Sequence, residues 1–281
     1  MVSPQAAGAP GAPALLEVVL PAYNEEERLP AGLAALCAKL ASLHIPASVL
    51  VVDNGSTDAT SRIAEEWPSS PVPVRVIRCE RRGKGAAVRA GLLATTAPFV
   101  GFCDVDMATD LSALDPAMAL LGMGYAAVIG SRADPRSVVE ARHSLLRRLG
   151  AATFRGLARM IVGEIGDTQC GFKLFRGAEA RQVARQLRCD GFAFDVELIA
   201  RFRARGLALR EIPVTWRDVS GSTFSCYRHS LGVFAQMGRI WLDVGFSGRG
   251  GRNAHLWSVP TLPVPAVPAR PYQDSASSFV A

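Results

Sequence analysis

This sequence lacks long apolar runs, paired cysteines and histidine clusters, and each absence excludes a class of protein. No stretch reaches about 18 uninterrupted apolar residues, so no transmembrane helix is predicted. The six cysteines (Cys37, Cys79, Cys103, Cys170, Cys189 and Cys226) form no CxxC pair, and the four histidines offer no ligand spacing beside them. That excludes a disulfide or zinc framework and predicts reduced thiols in a cytoplasmic protein. The opening MVSPQAAGAPGAPA has no basic start followed by an apolar run, so no signal peptide is expected. Neither the P-loop pattern GxxxxGK[ST] nor the dinucleotide fingerprint GxGxxG occurs.

What is present describes a globular chain. With 49% hydrophobic and 20% charged residues over 281 positions, it can bury a sizeable core. A net charge of +6 suits anionic partners, and no nucleic acid is required or expected. Residues 1–13 read as an Ala/Gly/Pro leader and 247–281 as a Pro-rich disordered tail. Between them strands and helices alternate. LLEVVL (15–20), SVLVVD (48–53), VPVRVIR (72–78), residues 98–103 and AAVIGS (126–131) read as strands. Residues 28–43, a segment from Thr57 or Asp58, 84–94, 112–122 and 137–162 read as helices. CGFKLFR and LREIPVTWR read as later strands around a helix over 193–205. This βα alternation implies a single domain with a mostly parallel sheet flanked by helices.

Ligands of such sheets bind beyond the carboxyl ends of the strands, where this chain places its polar motifs. PAYNEEE follows the first strand, DNGSTD the second and DVD the fourth. In PAYNEEER, Asn24 suits a helix cap, and the same loop offers edge hydrogen bonds to a base. Asp53 suits an Asx turn or a base N–H, with Gly55 leaving room for a nucleotide. Lys84 lies between two glycines at a helix start, a setting for an anion or for a solvated lysine. In CDVDMATD, Asp104 and Asp106 end an apolar strand and fall on one side of an extended segment. Two adjacent hard oxygen ligands suit Mg²⁺ or Mn²⁺ with a phosphate completing the shell. Arginines crowd residues 132–159, where most serve a solvated face and a few suit a second phosphate. Asp167 reads as a turn acid before Gly171, while Asp195 and Glu197 fall near a helix start.

In this order, PAYNEEERL, VVDNGSTDAT, GKGAAVRAG, CDVDMATD, GSR, DTQCGFKLF and FAFDVEL resemble the family 2 glycosyltransferases over about residues 15–223. Within that family they look most like the dolichyl-phosphate β-glucosyltransferase branch, with the polyprenyl-phosphate mannose synthases next. The resemblance implies a glycosyltransferase-A fold over residues 14–223. It implies that Pro21, Tyr23, Asn24, Glu25, Asp53 and Gly55 cradle the base and ribose of a nucleotide sugar, with Lys84 near the nucleotide. Asp104 and Asp106 match the DxD motif, which meets the ribose and a metal-bound diphosphate. Arg132 and Arg148 fall where related synthases bind an acceptor phosphate, and Asp167 falls close to the reacting sugar. Three positions depart from the pattern: Asn54 for a common aspartate, Ala108 for the glutamine of mannose synthases, and Thr223 for a common lysine.

The implied reaction is inverting transfer of a hexose, glucose from UDP-glucose on this branch, to a polyprenyl or dolichyl phosphate. A phosphate nucleophile is already anionic and needs no strong base. The alternative is a soluble enzyme acting on a hydroxyl of a small metabolite, for which Asp167 is the candidate base. A non-catalytic nucleotide-sugar binder is disfavoured by the intact aspartate pair. A polyprenyl acceptor requires a membrane, and residues 224–246 offer a helical stripe of Phe224, Tyr227, Leu231, Phe234, Met237, Trp241 and Val244. That stripe suits either the cytoplasmic membrane interface or packing on the domain core.

Overall fold

The apolar runs pair into one sheet. The computed structural model describes residues 13–140, 145–218 and 236–244, of which 145–151 in backbone alone. The leader through residue 12, Thr223, residues 224–235 and the tail lie outside the described residues. The sheet strands are β1 (Leu16–Ala22), β2 (Ala47–Asp53), β3 (Val74–Arg78), β4 (Phe99–Cys103), β5 (Ala127–Ser131), β7 (Phe172–Arg176) and β8 (Leu209–Pro213). A two-stranded ribbon pairs β6 (Val138–Glu140) with β9 (Thr215–Arg217). The helices are α1 (Leu29–Ser42), α2 (Thr60–Glu65), α3 (Lys84–Ala94), α4 (Leu114–Gly122), α5 (Leu145–Val162), α6 (Gly177–Ala184), α7 (Phe194–Ala204) and α8 (236–244).

The order β3-β2-β1-β4-β7-β5-β8 is parallel except at β7, which runs against both β4 and β5. Strand order reverses between β1 and β4, the switch point beyond whose carboxyl ends open sheets of this kind form their ligand crevice. Alternate residues of each strand feed the two faces. Val18 and Leu20 pack with Leu29, Leu33, Leu36 and Leu40 of α1 on one face. Val19 and Phe102 meet Val88 of α3, Val183 of α6 and Phe194 of α7 on the other. Each buried leucine of α1 contributes about 1.5–3 kcal/mol, which fixes that helix behind the loops at its start.

Four local expectations change. Residues 138–140 form strand β6, because Val138 and Val139 pair with the strand after Pro213, so α5 begins only at Leu145. Helix α2 begins at Thr60, because Asp58 turns its carboxylate onto the Thr60 and Glu26 amides. Asn24 caps no helix: α1 starts at Leu29, and Asn24 adopts a left-handed φ of 52°. On α8, Met237, Ile240 and Val244 are buried against Ala158 and Val162 of α5 and Val196 and Ala200 of α7. Trp241, expected on the same stripe, is 56% exposed.

Candidate active site

The carboxyl ends of β1 and β2 are joined by hydrogen bonds between the loops that follow them. Ser56 Oγ accepts from the Asn24 amide at 3.0 Å, and Asn24 Oδ1 accepts from the Thr57 amide at 2.8 Å. Thr60 Oγ1 accepts from the Glu25 amide at 2.7 Å, and Glu26 Oε2 accepts from the Ala59 amide at 2.9 Å. Each short polar side chain satisfies an amide that the end of a strand leaves unpaired. Asp53 is buried and accepts from the Ser56 amide three residues on at 3.0 Å, which closes the turn after β2 in place of the Asx turn expected. Gly55 at φ 79° makes that turn. Pro21 lies within β1, and Tyr23 stands half exposed at the rim. Glu25 pairs with Arg28 at 2.7 Å, yet burial keeps its carboxyl above the usual range.

Asn54 reaches the other way. Its Nδ2 donates to the Cys79 and Arg81 carbonyls at 3.2 and 2.7 Å, and its Oδ1 accepts from the Gly83 amide at 2.7 Å. Only an amide can donate and accept in this way, so this buried side chain fixes the loop that leads into α3. On the loop's far side, a Cβ on Gly83 would lie 2.2 Å from the Asp190 carbonyl oxygen. The first residue of α3 is Lys84, and its Nζ pairs with Asp104 Oδ1 at 2.5 Å.

Asp104 and Asp106 do not continue β4. The strand stops at Cys103, and the Met107 amide closes a turn onto the Asp104 carbonyl at 3.1 Å, with Met107 at φ 48°. The extended geometry expected for this pair therefore does not hold. The turn is held between two close approaches. A Cβ on Gly171 would lie 2.0 Å from Asp104 Oδ2, and one on Gly32 would lie 2.3 Å from the Val105 carbonyl oxygen. Asp106 accepts from the Ala108 amide at 3.1 Å, and its carboxyl is pushed up by burial and by the adjacent Asp104. Burial and the same two carboxylates push the Cys103 thiol up as well. Lys84 is held above its ordinary value: burial opposes its charge, but Asp104 and Asp195 outweigh that. Among the described residues no group of three or more His, Cys, Asp or Glu could hold a metal ion. The two carboxylates do fit a hard divalent cation whose remaining ligands come from phosphate and water, because extra negative charge here calls for a counter-ion.

Behind this turn lies a buried pair that the sequence reading did not put in the site. Lys173, fully buried on β7, donates to Asp195 Oδ1 and to the Cys170 carbonyl, both at 2.6 Å, and sits 5.1 Å from the Phe102 ring centroid. Burial raises the Asp195 carboxyl, with Lys173 and Lys84 opposing. The available signal was a lysine set among Phe172, Leu174 and Phe175 in a strand whose only other charge is the exposed Arg176 at its end. Glu197 accepts from the Arg188 and Cys189 amides at 2.9 and 2.7 Å, which holds the loop ahead of α7.

Arg132 and Asp167 meet each other. Asp167 Oδ2 accepts from Arg132 Nε at 2.6 Å and Oδ1 from Nη2 at 2.9 Å, while the Arg132 and Gln169 amides also donate to it. Glu211 fixes the Gly166 and Asp167 amides from below. The guanidinium lies 5.4 Å over the Trp216 ring. Burial alone would raise the Asp167 carboxyl, but Arg132 holds it below the usual range. The sequence-based candidate for a general base is thus bonded on both oxygens and weakly basic. Arg148 lies on α5, outside the residues whose side chains are described.

Residues 17–180 match the family model described as Glycosyl transferase family 2. The chain is 35% identical over 242 residues to the dolichyl-phosphate beta-glucosyltransferase of Drosophila melanogaster, covering 81% of this chain and 74% of that protein. It is 34% identical over 223 residues to the human protein of the same name, covering 74% and 68%. Among solved structures, glucosyl-3-phosphoglycerate synthase from Mycobacterium tuberculosis with uridine diphosphate aligns at TM-score 0.56 and 22% identity, over 86% of this chain and 82% of that one. The same enzyme with Mn²⁺, UDP-glucose and phosphoglyceric acid aligns at TM-score 0.55. That likeness is one of fold.

Proposed function

The chain belongs to glycosyl transferase family 2 and has the glycosyltransferase-A fold, and from that premise we propose that it transfers glucose from UDP-glucose to a polyprenyl phosphate with inversion. The observation that carries this reading is the meeting of the Asp104–Asp106 turn, Lys84 and the joined 23–28 and 54–60 loops at the crevice between β1 and β4. Pro21, Tyr23, Asn24, Glu25, Asp53 and Gly55 form the cradle for base and ribose. Asp104 and Asp106 would hold a divalent cation, Mg²⁺ or Mn²⁺. When bound, that ion supplies Lewis-acid neutralisation of the departing diphosphate. Lys84, paired with Asp104 in this structure, adds a cation at the same end of the pocket.

The state of Asp167 favours an anionic acceptor over a hydroxyl. A hydroxyl needs a base, whereas Asp167 is committed to Arg132. Asp167 instead orients Arg132, whose Nε and Nη2 it takes, so that the remaining guanidinium N–H groups meet the acceptor phosphate together with Arg148. Among the described residues no helix is long and apolar enough to cross a membrane. Contact with the lipid acceptor runs through a peripheral patch on the cytoplasmic face, made of Trp241, Leu242 and Met160, all exposed.

Incubating the purified protein with UDP-glucose, Mg²⁺ and a polyprenyl phosphate yields a glucosyl lipid by mass spectrometry. Absence of product with every lipid phosphate tried, or faster transfer from GDP-mannose, overturns this assignment of acceptor or donor. Loss of vesicle flotation in Trp241→Ala tests the membrane patch.

A further inference from the structure

A cavity of about 850 Å³ is lined by none of the residues assigned above to donor, metal or acceptor. Six arginines line it: Arg81, Arg89, Arg185, Arg188, Arg201 and Arg205, and no carboxylate does. Three of the six are neutralised from behind, Arg81 by Asp190 at 2.6 Å, Arg188 by Asp243 at 3.1 Å and Arg201 by Glu197 at 2.6 Å. Arg205 bonds only the neutral amide of Gln182, and Arg89 and Arg185 have no carboxylate partner among the described residues. The Arg89 Nε is buried with no hydrogen-bond partner. A buried N–H without an acceptor is costly, and several cations crowded together repel one another, so this wall is incomplete without an anion. Guanidinium forks match phosphate oxygens in pairs, and the volume is that of a small-molecule pocket.

We propose that this cavity is a second anion site that takes two or more phosphate groups at once through Arg89, Arg185 and Arg205. It stands on α3, on the segment after α6 and on the end of α7, and it is independent of the transferase reading. Inorganic pyrophosphate titrated calorimetrically into the full chain in EDTA tests it, because metal-dependent diphosphate binding at Asp104 and Asp106 is then suppressed. One binding event is expected. In Arg185→Gln/Arg205→Gln, and separately in Arg89→Gln, the dissociation constant rises about tenfold or more, as expected for loss of charge-assisted bonds. Arg62→Gln, an equal loss of charge at an exposed pair with Glu66, leaves it unchanged. A parallel arm compares flotation on phosphatidic acid and phosphatidylcholine vesicles. Arginine-dependent binding of pyrophosphate identifies a free ligand, and arginine-dependent binding of phosphatidic acid alone identifies lipid headgroups. No binding of either probe, or equal weakening by Arg62→Gln, overturns the proposal.

Discussion

Replacing Asn54 by Asp tests whether the loop ahead of Lys84 is held by an amide in particular. The two side chains have nearly the same shape, so packing is preserved. The acceptor bond from the Gly83 amide survives, but both donations, to the Cys79 and Arg81 carbonyls, are lost. A carboxylate then faces two carbonyl oxygens in a buried site, and each of those carbonyls loses a partner. At about 1–3 kcal/mol for each buried group left unpaired, with partial relief by water, the net loss is about 2–3 kcal/mol. For a domain of this size that lowers Tm by roughly 5–10 °C. The introduced carboxyl, disfavoured as an anion, has its pKa raised in the folded state. Its destabilisation therefore grows as pH rises through the ordinary carboxylate range and eases toward low pH, where a protonated oxygen can donate to one carbonyl. Because the loop delivers Lys84, KM for the nucleotide sugar rises more than kcat falls. Calorimetric melting of both proteins from pH 4.5 to 8, with donor kinetics at pH 7.5, checks this. An unchanged Tm and an unchanged donor KM would falsify the role given to Asn54.

Other consequences are as direct. Asp106→Asn keeps the fold but lowers kcat by about 10²-fold or more, and the wild type loses activity in EDTA and regains it with Mg²⁺ or Mn²⁺, read by product formation. Lys173→Met leaves Asp195 as an unpaired buried carboxyl, and the cost of about 3–5 kcal/mol is read from urea midpoints; Lys173→Met/Asp195→Leu recovers much of it. Asp167 has a folded pKa below its ordinary value, so its contribution to stability is complete above the usual carboxylate range and is lost as pH falls through the lower folded value. Asp167→Asn therefore flattens the acid limb of a Tm–pH profile below about pH 4 and leaves the limb above pH 6 parallel to wild type. A profile that steepens on the acid side refutes that pairing.

The sequence by itself determined the layers and the place of the site. Apolar periodicity set α1, α3 and the strands, since a face that must be buried repeats with the geometry of its element. The polar runs after the first, second and fourth strands had to emerge at one sheet edge, because those strands are parallel. Only the tertiary structure decided what each polar group bonds to. Asn24 resembles a cap but serves the neighbouring loop, since its partner lies 33 residues away at Thr57. Residues 138–140 carry only the weak mark of two β-branched valines in a three-residue stretch, and become a strand by meeting residues 215–217. Arg132 and Asp167 were legible one at a time, as a phosphate ligand and a base. Their pairing across 35 residues, which changes the chemistry of both, depends on a register that local spacing does not encode. Lys173 marks the same limit: a charge in an apolar strand is visible in the sequence, but the carboxylate that lets it stay buried is supplied by the packing of α7 on the sheet.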